Sequence, residues 1–112
     1  MAPSQPTALM LASLNAYAGE NIGPSKIVLL GCHNTSGTCY VRLDSGPFGA
    51  SLGCATGPAT EFRFDNRDTA NGRRSYASFL AAKLSGKSVT VYLDGCTTQG
   101  FPQLQYFWIV DG

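Results

Sequence analysis

Charge is what this sequence has least of. Asp, Glu, Lys and Arg make up only 13% of its 112 residues, the net charge is +1, and there is no basic run and no acidic tail. Binding to a phosphate backbone draws on clustered lysines and arginines, so nucleic acid is excluded as a partner. Histidine is nearly absent too: His33 stands alone, and no C-x-x-C pair occurs, which excludes the close-spaced ligand sets of structural zinc sites. No apolar run reaches the roughly 18 residues of a membrane helix, so no membrane span is expected. There are no internal repeats and no low-complexity tract, which excludes a solenoid.

Catalytic and cofactor motifs are equally scarce. The segment LSGKS (84–88) invites a phosphate-loop reading, but Ala81 stands where that motif needs a glycine. The segment also runs from helix to strand, the reverse of a phosphate loop. His33 has no nucleophile or carboxylate fixed beside it by sequence, and the seven acidic residues form no motif pair. The expectation is a chain that is not an enzyme and carries no cofactor.

What the sequence does have is small residues and cysteine. Glycine occurs 13 times, 44% of residues are hydrophobic, and the length suits one domain. Low charge with that much apolar content points to a surface that meets other protein surfaces. Four cysteines, Cys32, Cys39, Cys54 and Cys96, are separated by 6, 14 and 41 intervening residues. An even count in a small, loop-rich chain favours two disulfides, hence an oxidising compartment: secreted, extracellular or periplasmic. In GCHNTSGTCY (31–40) the first two cysteines flank a polar turn, and His33 reads as a turn residue. Asn34-Thr35-Ser36 is formally a glycosylation acceptor.

Residues 1–20 form an apolar arm. ALMLASL (8–14) resembles the apolar core of a signal peptide and AYAG a cleavage site, yet no Lys or Arg precedes them. The segment is therefore read as part of the working chain, with Leu9, Met10, Leu11, Leu14 and Tyr17 as candidate subunit contacts. ENIGPS then reads as a turn-rich break. KIVLLGC (26–32) and CYVRLDS (39–45) form a hairpin, GPFGASLGCATGPA a loop, and EFRFD (61–65) a third strand. A helix follows, capped by Asp68 or Thr69 and closed by Gly86, with Tyr76, Phe79, Leu80 and Leu84 on its apolar face. SVTVYLD (88–94) turns Val89, Val91 and Leu93 inward. QLQYFWIVD (103–111) ends the chain, with Leu104, Tyr106, Trp108 and Val110 on one face and Phe107 and Ile109 on the other. Residues 21–112 thus read as a mainly β domain: a five-stranded antiparallel OB-like barrel with a helix between strands 3 and 4.

The stretch CATGPATEFRFDNRDTANGRRSYASFLAAKLSGKSVTVYLDGC adds a resemblance. It is similar to small secreted bacterial OB-like domains: a cysteine, an F-x-F/Y-D strand, a T-x-x-G-x-x-x-Y helix, sGKxVtV and a second cysteine. That group resembles the receptor-binding B subunits of subtilase-cytotoxin-like and pertussis-like AB5 toxins. The resemblance covers roughly residues 26–112 and rests mainly on 54–96. It implies a non-catalytic, disulfide-bonded barrel that forms rings or polymers and binds sugars. It also implies a Cys54–Cys96 bridge, leaving Cys32 with Cys39, and the expected hairpin and loops are compatible with both. The apolar arm departs from those toxin subunits.

The binding candidates are side chains expected to point outward from neighbouring strands: Tyr40, Arg42, Tyr92 and Tyr106. Aromatic rings beside polar tips suit a sugar, because the ring stacks on C–H groups while the tips read hydroxyls. Arg73 and Arg74, at a helix start where positive charge is locally unfavourable, are candidate subunit contacts. Two functions follow. One is a self-assembling, toxin-B-like subunit that binds a glycan or a receptor surface. The other is a structural subunit of an extracellular fibre, tube or surface polymer, joined to its own copies by the arm.

Overall fold

The computed structural model describes residues 18–111. The chain is mainly β: five strands and, among the described residues, one α-helix. The strands are β1 (Glu20–Cys32), β2 (Cys39–Leu43), β3 (Glu61–Phe64), β4 (Ser88–Cys96) and β5 (Pro102–Val110); helix α1 (Ala70–Ser85) lies between β3 and β4. They form one sheet in the order β1-β2-β3-β5-β4 that closes in a ring, because β1 pairs with β2 in its second half and with β4 in its first. All pairings are antiparallel except β3 with β5, a single parallel pair at Arg63 and Gln103.

β1 begins earlier than the sequence suggests. ENIGPS is strand and not a break, because a register shift between Ile22 and Ser25 absorbs the Gly-Pro pair. Gly23 sits there at φ 122, a conformation that favours glycine, and proline at a bulge removes no ladder bond. The loop before β3 contains one 3-10 turn, Ala50–Leu52.

Alternation builds the core. Val41, Leu43, Phe62, Phe64, Val89, Val91 and Leu93 point into the ring and are almost fully buried. Helix α1 closes one end with Phe79, which has no solvent exposure. Its ring centroid lies 5.7 Å from that of Phe62, 6.0 Å from Phe64 and 4.5 Å from Phe107. Thr69 caps the helix: its hydroxyl accepts from the Gly72 amide at 3.1 Å, and Gly86 ends it in the left-handed region.

The buried face of α1 differs from the expected one. Gly72, Phe79 and Ala82 are buried and Tyr76 packs on the core, but Leu80 and Leu84 are exposed, Leu84 at 78%. A helix that plugs a narrow ring approaches through small residues. Gly72 lies so near the Asn66 carbonyl that a Cβ there would collide with backbone.

β5 also departs from the simple alternation. Tyr92 pairs with Tyr106 but Leu93 pairs with Leu104, so Gln105 is an extra residue, a bulge. The bulge moves Leu104 from the outer face to the inner one, where it packs against the core together with Phe107.

Both disulfides are present: Cys32–Cys39, joining directly paired residues of β1 and β2, and Cys54–Cys96, joining the loop before β3 to the end of β4. No helix among the described residues is long and apolar enough to cross a membrane.

Candidate binding surface on the outer sheet face

On the outer face of β4 and β5 three aromatic rings stand in a row. Tyr92 and Tyr106 are a cross-strand pair, with centroids 5.0 Å apart and planes 22° from parallel. Trp108, two residues along β5 and therefore on the same face, continues the stack at 6.0 Å and 20°. Such contacts contribute about 0.5–1.5 kcal/mol each beyond area burial. Tyr106 is 52% and Trp108 45% exposed, so the stack is a surface feature that the core does not use.

A glycine just before β1 leaves room for one of these rings. The ring of Tyr92 lies over Gly19, where any Cβ would collide with it. Asn21 pairs with Tyr92 and is exposed on the same face, which gives a transverse row of Asn21, Tyr92 and Tyr106. In the next row Thr90 pairs with Trp108, and a Cβ at Gly23 would strike the backbone of Val89. The surface is therefore a flat aromatic strip edged by an amide and tyrosine hydroxyls.

Glu20 fixes the edge of this strip. Its carboxylate accepts from the Gly49 amide at 2.7 Å and from the Ser51 amide and hydroxyl at 2.9 and 2.6 Å. Partial burial acts to raise its pKa. The Ser51 hydroxyl and the two amides outweigh burial and hold the carboxyl below its ordinary value. Ala18 is tied to the same turn: its amide donates to the Ser51 carbonyl, and its own carbonyl lies 2.6 Å from the Ser51 hydroxyl oxygen.

Tyr40 and Arg42 lie elsewhere, on β2. Tyr40 covers Gly31, its cross-strand partner, and its ring is 5.4 Å from that of His33. Arg63 of β3 lies beside it, with its guanidinium carbon 3.7 Å from the Phe101 ring centroid and 5.6 Å from that of Tyr40. Glu61 holds Arg63 at 2.8 Å and faces Arg42 at 4.0 Å. The four outward candidates therefore fall into two groups: Tyr92 with Tyr106, and Tyr40 with Arg42.

Between β5 and α1 lies a cleft of about 440 Å³. Phe64, Leu104, Tyr106 and Phe107 line one side, and Asn71, Arg74, Ser75 and Ser78 the other. Arg74 donates to the Asn71 side-chain oxygen at 2.7 Å. Its neighbour Arg73 points away, donating to the Asp68 carbonyl at 2.9 Å and lining a cavity of about 350 Å³ with Cys32, Arg67 and Tyr76. Adjacent helical residues diverge by about 100°, so the arginine pair does not form one patch. His33 is exposed, with Ser36 at 3.4 Å from its Nδ1, and Arg67 donates to the His33 carbonyl. The arm contacts Leu9, Met10, Leu11, Leu14 and Tyr17 lie outside the described residues.

Sequence reasoning missed Trp108 and Asn21 as site residues. The alternation of β5 did place Trp108 on the face of Tyr106, but its alignment with Thr90 of β4 depends on the pairing register of the two strands. No protein family, no curated protein and no solved structure matches the chain.

Proposed function

We propose that the protein is a secreted, non-catalytic, self-associating binding subunit with an OB-like barrel, and that it recognises a glycan on the outer face of β4 and β5. The observation that carries this reading is the Tyr92–Tyr106–Trp108 stack beside Asn21, with Tyr106 and Trp108 exposed and Tyr92 half-buried. Stacked aromatic rings left at the surface offer the large, rigid apolar face with polar tips that ligand sites use. Its flatness suits the C–H face of a pyranose, and its rim supplies donors and acceptors for hydroxyls. The strand order, with α1 between β3 and β4, supports the OB-like assignment. The two disulfides support secretion. The resemblance to toxin B subunits points the same way.

A glycan array probed with oxidised protein tests the reading. Wild type binds a defined subset of glycans; Trp108→Ala and Tyr106→Ala each weaken binding at least about tenfold, or about 1.4 kcal/mol, while the fold stays intact. Binding that survives both substitutions would place the ligand elsewhere. The structural-polymer reading is kept beside this one because of a second observation, the unpaired edge of β5.

A further inference from the structure

A ring of strands has no free edge unless one of its seams is open. Here β1, β2 and β4 are each paired along both sides by several residues. The seam between β3 and β5 holds only the pair Arg63 and Gln103. From Leu104 to Val110, no strand among the described residues pairs with β5 on the side away from β4. Over Leu104–Phe107 this edge opens onto the 440 Å³ cleft against α1. Exposed edges are normally blunted by proline, or by lysine and other charged side chains. β5 has none of these after Pro102, and its sequence QLQYFWIV carries no charge. The edge is an unprotected template for a further strand.

We propose that this edge accepts residues 7–17 of a second copy of the chain as an added strand. The inference rests on the self-associating part of the proposed function and names its acceptor. Three features favour this occupant. The segment TALMLASLNAY holds no proline or glycine, so every residue has an amide for a ladder, and nothing from Met1 to Gly19 is charged. Leu9 and Leu11, two apart, would share a face and suit the Phe64, Leu104 and Phe107 side of the cleft. A seven-residue edge needs about 23 Å of strand, and eleven residues reach roughly 36 Å when extended. A second copy is favoured over the chain's own segment because Ala18 is tied to Ser51 just before the start of β1. The bodies of β4 and β5, with their outward rings, stand between it and its own open edge. A strand added there lies in the plane of the sheet, leaving the aromatic face open.

Sedimentation of the full oxidised chain over a concentration series, with hydrogen exchange on β5, tests this. Leu11→Pro is the variant, since it removes one amide of the segment and precedes the described strands in sequence. The expected result is concentration-dependent association, slowing amide exchange across 104–110 at least tenfold. Leu11→Pro should weaken association at least tenfold and abolish the protection. Association that Leu11→Pro leaves unchanged, or that leaves β5 unprotected, overturns the acceptor assignment while self-association stands. A chain monomeric at every concentration overturns both. A monomer whose β5 protection is lost in Leu11→Pro shows the segment docking on its own ring, which overturns the second-copy occupant.

Discussion

Glu20 shows how one side chain connects fold and surface. Its carboxylate fastens the start of β1 to the 3-10 turn, and so fixes the strand that carries Gly19 and Asn21 beside Tyr92. The Ser51 and Gly49 donors hold its folded pKa below the ordinary value of 4.5, against the opposing effect of burial. A carboxyl depressed in this way stabilises the fold in full above pH 4.5 and loses that contribution as pH falls through its folded value. Glu20→Gln should therefore lower the melting temperature at neutral pH, and the gap to wild type should close in acid; thermal melts across pH 2–7 measure this. His33→Ala, by contrast, should leave stability within about 0.5 kcal/mol in urea titration, since His33 is exposed and outside the core. At this scale the sequence was a partial guide. The outward direction of Tyr92, Tyr106 and Trp108 follows from strand alternation, but the stacking of Tyr92 on Tyr106 and the role of Gly19 come from pairing between strands, which no local pattern encodes.

Elements repeat the lesson with clear causes. The helix was legible from its caps, Thr69 and Gly86, which are local hydrogen-bond chemistry. Its buried face was legible only in part: Tyr76 and Phe79 face the core as their spacing implies, but Leu80 and Leu84 do not, because the end of the ring accepts small residues, Gly72 and Ala82, beside Phe79. The first half of β1 was hidden by a Gly-Pro pair that a bulge accommodates, and β5 changed faces at Gln105 for the same kind of reason. A bulge is a tertiary decision, invisible in a period of two. Gly72→Ala should cost about 1–3 kcal/mol in chemical denaturation although alanine is the better helix former, because the clash is with Asn66 backbone. Phe79→Ala should cost about 3–5 kcal/mol by removing the plug.

The whole molecule is a small ring held by two bridges of unequal reach. Cys32–Cys39 closes 7 residues of chain and Cys54–Cys96 closes 42. Loop entropy assigns them about 2.4 and about 4 kcal/mol, so Cys54→Ala with Cys96→Ala should destabilise more than Cys32→Ala with Cys39→Ala, as read by denaturant midpoints. The ring in turn sets the outer face of β4 and β5, the surface on which the functional account depends. That surface contains the only tryptophan of the chain, Trp108, so intrinsic fluorescence reports on it without labelling. The most direct measurement is therefore a titration of the oxidised protein with glycans while following Trp108 emission. The account predicts a saturable change for the glycans that the protein binds, with the affinity weakened at least tenfold in Tyr106→Ala. A glycan that binds tightly without altering Trp108 emission, or a broad panel in which none binds at all, would contradict it.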